Sequence, residues 1–311
     1  VRVRPVLCRV GGPGGLAIGS SPKLPDRLLE LVQSFYHVGG VDHRGAPTHH
    51  DRHPQGLDAA RIRDIMEEVA RKRMGELVRE QDLPDLVLTQ VHRRDVSAAP
   101  PIVEYARNEG IDLIVLGTHG RRGFRRLILG SVAAEVFRLA PASVLAIRAD
   151  TPPAGEHEIR RILVPLDFST PGTRALVRAG EIASFYRAEI QLLHVLEEFL
   201  HPAFYNLGAT SLKDFDPDIV GRTESAMREL VASLWKSNGP AVRYSVAEGP
   251  PSREILRFAQ EEESDLVVMA THGLRGVKDF LLGSTTERVL GGARVPVLVL
   301  REPTSQEPGS L

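Results

Sequence analysis

Gly117-Thr-His-Gly-Arg-Arg-Gly123, a largely apolar stretch and then Gly130-Ser131 form one copy of an element; Ala270-Thr-His-Gly-Leu-Arg-Gly276, a similar stretch and then Gly283-Ser284 form the other. His119 and His272 stand 153 positions apart, and so do Gly130 and Gly283. A constant offset of this size is the mark of an internal repeat, and it sets the architecture before single residues are weighed. Each copy follows an apolar run, Leu113–Leu116 or Asp265–Met269, and precedes an apolar-periodic segment. It therefore reads as a strand handed to a helix through glycines.

Outward from the second copy, strands and helices alternate. Ile162–Leu166, Ile190–Val195, Val242–Ala247, Asp265–Met269 and Val295–Leu300 are short apolar runs with the character of buried parallel strands. Helices are expected from Asp167-Phe-Ser-Thr-Pro171 to about Ser184, from Asp218 to Trp235, over Pro251–Glu262 and over Ser284–Leu290. That alternation implies a parallel sheet with helices on both faces. The first half repeats it from its middle onward. A helical stripe carries Ile62, Ile65, Met66, Val69 and Leu77. Leu86–Val91 is a strand, Pro100–Glu109 a helix, and Val144–Ile147 the last strand. Thr151-Pro-Pro-Ala-Gly155 reads as a linker. The expected domains are 1–150 and 156–303, each an α/β Rossmann-like unit with an open five-stranded parallel sheet. Residues 1–58 match poorly. Gly11-Gly-Pro-Gly-Gly15 stands where the first strand should enter its helix, and no carboxylate matches Asp167, although Gln33–Val38 resembles the strand ending at His194-Val195. Divergence and a shifted reading frame both account for this.

The 311 residues and 42% hydrophobic content suit two soluble domains of about 150 residues. A net charge of −1 gives no bulk electrostatic case for nucleic acid. No apolar run is long enough to span a membrane. The single cysteine, Cys8, excludes an intrachain disulfide and fits a reducing, cytoplasmic setting. Val1-Arg-Val-Arg lacks the apolar core of a signal peptide and an initiating Met, as in a fragment or a start codon recorded as Val.

The chemistry of the repeated loop is that of anion binding. In an open parallel sheet, ligands bind outside the carboxyl ends of the strands. The first amides of the helix beginning at Gly283-Ser284-Thr285-Thr286 lack intrahelical partners, and the helix dipole favours negative charge there. The blander reading is a simple turn followed by a capped helix. No Gly-Lys-Ser/Thr ending is present, so the loop is not a Walker A element, and Gly14–Ser20 has that glycine spacing without the lysine. His43, His49, His50 and His53, with Asp42 and Asp51, do not fall on one helix face and read as a solvated loop, not a metal site. His119 and His272 either touch phosphate or pin the turn. Arg122 and Arg275 correspond in the two copies and read first as solvated charge, with pairing to phosphate as the alternative. Arg121, Arg122, Arg125 and Arg126 form a basic patch that can attract any polyanion and so points to no particular ligand. No nucleophile–base–orienter set is legible, so no catalytic residue is assigned.

These motifs resemble the universal stress protein family, as a tandem two-domain member. The family pattern Gly-x2-Gly-x9-Gly-Ser/Thr is intact at Gly117, Gly120, Gly130 and Ser131; the second copy has Ala270, Gly273, Gly283 and Ser284. The first-strand signature Ile162–Ser169 and the ending His194-Val195 also match. The resemblance implies ATP as ligand. Asp167 and the Val195 backbone would read adenine, with Pro165 and Leu166 lining the pocket; the alternative for Asp167 is a cap on the helix that follows. Met269, Ala270 and Gly273 would follow ribose and phosphates, and Gly283, Ser284, Thr285 and Thr286 would hold the phosphates. In the first half, Gly117, Gly120, Gly130, Ser131 and Val132 would bind more weakly or not at all, because Val132 and Ala133 replace two threonines and the acidic partner is missing. It further implies a stress-response regulator acting through nucleotide-linked conformation or assembly. End strands that pair across a dimer in the family would here pair within one chain, with a homodimer as a further step. Two rivals stay open: a slow ATPase or self-phosphorylating protein using Ser284 or Thr285 with magnesium or manganese, and an interaction module that binds no nucleotide.

Overall fold

A computed structural model of the chain describes residues 5–8, 15–18, 68, 72, 88–91, 97–117, 129–148, 159–197, 216–236, 238–271 and 282–301. The first half supplies β1 (Pro5–Cys8), β2 (Gly15–Ile18), β3 (Leu88–Val91), α1 (Ala99–Asn108), β4 (Leu113–Gly117), α2 (Ser131–Leu139) and β5 (Ser143–Ile147). The second supplies β6 (Arg161–Pro165), α3 (Thr170–Tyr186), β7 (Glu189–Leu196), α4 (Ile219–Trp235), β8 (Val242–Glu248), α5 (Pro251–Glu261), β9 (Leu266–Ala270), α6 (Ser284–Gly292) and β10 (Val297–Leu300). The 153-residue offset maps β4 onto β9 and the start of α2 onto the start of α6 without a slip. Expected elements that fall on described residues stand within a residue or two of their places; Ile62, Ile65, Met66, Val69 and Leu77 of the expected helical stripe lie outside the described residues.

The strands form one ten-stranded sheet in the order β3-β2-β1-β4-β5-β10-β9-β6-β7-β8. The second half is parallel throughout, with β9 and β7 flanking β6. The halves meet where β10 pairs antiparallel with β5, Leu298 opposite Leu145. The end strands thus pair inside one chain.

The first half departs from the expected all-parallel sheet in one strand. β2 runs antiparallel to β1 and to β3. Only residues 9–14 separate β1 from β2. A parallel return needs a crossover of a dozen or more residues, whereas a short connection closes a hairpin. The glycine-rich stretch expected at a strand–helix junction thus leads from β1 into the antiparallel β2, whose first residue is its last glycine, Gly15. The Gln33–Val38 segment lies outside the described residues.

Alternate side chains of the strands feed two cores, one on each face. One core gathers Ile114, Leu116, Val144, Ala146, Val267, Met269, Val297 and Val299 under α1, α2, α5 and α6. The other gathers Val115, Leu145, Ile147, Ile162, Val164, Ile190, Val268 and Leu298 under α3, with Met227 of α4. Both cores contain residues of both halves, so the seam at β5–β10 is interior. Polar groups bind the opposite edge of the sheet from the carboxyl ends of the second half. The Asp265 carboxylate accepts from the amides of Arg160 and Arg161, each at 2.8 Å. The buried Gln191 side chain accepts from Ser264 at 2.5 Å and donates to the Glu262 carbonyl at 3.1 Å. On the outer strand β8, burial pushes the Tyr244 phenol above its usual range and the nearby Arg228 charge partly offsets this; the Arg228 guanidinium lies 4.3 Å from the ring centroid.

Two arginines related by the same offset clamp the seam. Arg148, following β5, donates to the Gly291 carbonyl in the last turn of α6 at 3.2 Å. Arg301, following β10, donates to the Phe137 and Arg138 carbonyls in the last turn of α2 at 3.0 and 2.8 Å. Each half thus places a cation on orphan carbonyls at the negative end of the other half's final helix. Arg148 is only 9% exposed, and its removal strands a buried carbonyl. Arg148→Ala is expected to cost about 1–3 kcal/mol, with Arg301→Ala costing less because it is more exposed. Urea denaturation measures both, and an unchanged midpoint for Arg148→Ala would remove the clamp from this account. A second expectation concerns Gly180, where an added Cβ would overlap the Trp235 indole. Gly180→Ala should destabilise by about 1–3 kcal/mol, and Trp235, the only tryptophan, reports the shift by fluorescence.

Candidate functional site

In the second half, β6 leads through α3 to β7 on one side, while β9 leads through α6 to β10 on the other. The winding therefore reverses between β6 and β9, which leaves a crevice outside their carboxyl ends. Two short segments border it: the Leu166–Ser169 turn after β6, and the start of α6 beside the end of β9.

The β6 turn is held by its own polar atoms. The Leu166 amide donates to the Leu193 carbonyl at 2.8 Å, while its side chain lies in the core. Asp167 is half-buried. Its Oδ1 accepts from the Ser169 amide at 3.1 Å and from the Ser169 hydroxyl at 2.5 Å. Ser169 caps α3, accepting from the Gly172 amide at 3.0 Å. The cap is thus the serine, and Asp167 fixes the serine. Phe168 has φ +59°, the left-handed region. Its ring lies 5.1 Å from that of His194, and the His194 Nδ1 is 2.7 Å from the Leu166 carbonyl. Because a carbonyl only accepts, Nδ1 carries the proton in this contact. Pro165 and Val195, half-buried, stand at the same edge.

The start of α6 is fastened to β9 at two points. The Gly283 amide donates to the Thr271 carbonyl at 3.0 Å, which sets the N-cap of α6 beside the residue that follows β9. The Thr286 hydroxyl donates to the Ala270 carbonyl at 3.1 Å. Thr286 is 4% exposed, so its hydroxyl anchors the turn. Gly283, as N-cap, supplies no capping side chain. Ser284 is exposed and Thr285 half-buried, both at the helix opening. Met269, 6% exposed, points into the core and offers only its backbone.

The first half repeats this helix opening. Gly130 is the N-cap of α2 without a side-chain cap, Ser131 is exposed, Val132 half-buried and Ala133 buried. Ala133 has no hydroxyl to do what Thr286 does. Gly117 ends β4. Gly120, Gly273, His119, His272, Arg121, Arg122, Arg125, Arg126, Arg275 and the His43–His53 cluster lie outside the described residues. Among the described residues no group of three or more His, Cys, Asp or Glu is arranged to hold a metal, and no helix is long and apolar enough to cross a membrane. The reading by sequence missed Ser169, Phe168 and the two clamp arginines. Arg148 and Arg301 left a signal, since both follow a last strand at the repeat offset.

Comparison with known proteins fits this arrangement. The model of the universal stress protein family matches residues 46–148 and again 158–301. The universal stress protein MJ0531 of Methanocaldococcus jannaschii is 30% identical over 152 residues, covering 49% of this chain and 88% of that one. The universal stress protein Rv2005c of Mycobacterium tuberculosis is 31% identical over 206 residues, 65% of each chain. Among solved structures, a universal stress protein from Archaeoglobus fulgidus shares the fold over 97% of this chain and 98% of its own, with TM-score 0.58 at 20% identity. With two family segments joined in one sheet, the chain belongs to the universal stress protein family.

Proposed function

We propose that the second half binds an adenine nucleotide in the crevice between β6 and β9, and that the protein acts as a regulator whose conformation or assembly responds to that binding. The observation that carries this reading is the double fastening of the α6 opening to the end of β9, next to β6, whose following turn carries Asp167. Amides at a helix opening have no intrahelical acceptor and attract anions. A pinned opening keeps them aimed without reorganisation. In this reading the Ser284 and Thr285 amides and hydroxyls take phosphate oxygens, and the glycine at 283 lets the ligand approach. Thr286 anchors the turn. Asp167 and the Val195 backbone face the base, Pro165 and the Leu166 backbone border it, and Ala270 with Gly273 lies along the ribose and phosphates. Three or four charge-assisted hydrogen bonds at about 1.5–3 kcal/mol each suffice, after association costs, for micromolar affinity.

The first half binds more weakly in the same reading. Its helix opening keeps Ser131 but has Val132 and Ala133 in place of two hydroxyls. Regulation then follows from linkage: ligand at a hundredfold excess over Kd stabilises the state it prefers by about 2.7 kcal/mol. Any change of shape or assembly is limited to the difference in affinity between the two states.

Ser284 is the first helical residue, and Gly283 before it has ψ 141°. Proline is well tolerated at that position and after that backbone, so Ser284→Pro keeps the helix while removing an amide and a hydroxyl donor. Calorimetry on the full chain is expected to give micromolar ATP affinity for the wild type and about tenfold or weaker binding for Ser284→Pro, with melting temperature retained. Equal affinity would move the phosphates elsewhere. A wild-type protein that ignores millimolar ATP would end the nucleotide reading.

A further inference from the structure

Phe168 is out of place by every local rule. Its φ of +59° lies in the region that suits glycine and that a bulky side chain occupies only at a cost. Burial does not offset that cost, since the residue is 38% exposed. It is one of two exposed large hydrophobic residues among those described. The other, Phe185, stands near the far end of α3, about 22 Å along the helix axis, against Tyr186. Phe168 instead follows Asp167 in the turn after β6, at the carboxyl edge of the second half.

The ring is also braced. His194 is fixed by its Nδ1 contact with the Leu166 carbonyl and lies 5.1 Å from the Phe168 ring at 53°. On the other flank, Asp167 Oδ1 and the Ser169 cap hold the backbone of the turn. The end of β6 and the end of β7 thus present one apolar ring at the edge where Asp167 and Val195 stand. A strained, rigid, exposed aromatic at the carboxyl edge of the sheet offers what a purine needs: a flat surface that requires no ordering when the base arrives.

We propose that Phe168 is a base-stacking residue, the wall that selects a nucleotide carrying a planar base over phosphate alone. This rests on the nucleotide reading of the same site and adds to it a residue outside the polar set. Phe168→Gly separates the ring from the fold, because glycine favours the backbone conformation already present. Phe168→Tyr restores a ring at the same strain. With calorimetry on the full chain, Phe168→Gly is expected to weaken ATP binding about tenfold, without a lower melting temperature, while Phe168→Tyr binds like the wild type. Inorganic triphosphate, used as a competitor, should lose nothing in Phe168→Gly. ATP binding by Phe168→Gly equal to that of the wild type overturns the proposal and leaves the nucleotide site standing. Equal losses for ATP and triphosphate also overturn it, because the ring would then only support the loop. A wild type that binds no ATP overturns both readings together.

Discussion

The antiparallel pairing of β5 with β10 is the constraint on which the remaining architecture depends. Neither strand would otherwise be covered on that side. Val144–Ala146 face Val297–Val299 across the seam, and the backbone groups that would be left as an open edge satisfy one another. The same pairing fixes the direction of everything else. Strands parallel to β5 run opposite to strands parallel to β10, so the carboxyl edges of the two halves face opposite ways. The helix openings at Ser131 and Ser284 consequently lie on opposite edges of one sheet. Ligands at the two places cannot touch, and any communication between them has to pass through the sheet and the helices packed on it.

The arginine clamps fit this geometry. Arg148 leaves β5 at the carboxyl edge of the first half, where α6 ends; Arg301 leaves β10 at the carboxyl edge of the second, where α2 ends. Each of these helices therefore has its positive end at a candidate anion site and its negative end on a cation from the other half. The seam is specific because a shifted register would pull both arginines from their carbonyls together. It also occupies β5 and β10, leaving β3 and β8 as the outer strands. A homodimer of this chain accordingly needs a surface other than the one that joins its halves.

Most of the second half was legible because a parallel strand buried on both faces leaves a short apolar run, and a helix covering it leaves a 3.6-residue stripe. The pairs Leu266–Ala270 and Ser284–Gly292 are read this way almost to the residue. The junction of β9 with the Gly283-Ser284 opening of α6 was legible too, from the repeated Gly-Ser pair. Strand direction in the first half was not, because four-residue strands such as Pro5–Cys8 and Gly15–Ile18 carry no orientation in their composition. The length of the connection was the available signal, and the glycine-rich stretch hid it by imitating a phosphate loop. The division of labour at the site was also hidden. The family resemblance sets Asp167 toward a base and Thr286 toward phosphate and assigns Ser169 no role; geometry puts the serine on the cap, the aspartate on the serine, and the Thr286 hydroxyl on the Ala270 carbonyl.

The two halves then differ for a reason that can be placed on single atoms. Both begin their last helix with Gly-Ser and both leave the opening without a capping side chain. In the second half, a threonine hydroxyl ties the first turn to the strand end, so the amides point in a direction set by β9. In the first half the corresponding residue is Ala133, which is fully buried and contributes packing alone. Preorganisation of donors, more than their number, decides how much of a hydrogen bond survives the cost of binding. Ala133 in place of Thr286 therefore removes a tie between the opening of the last helix and the end of the preceding strand, and that single side chain separates the two otherwise similar helix openings.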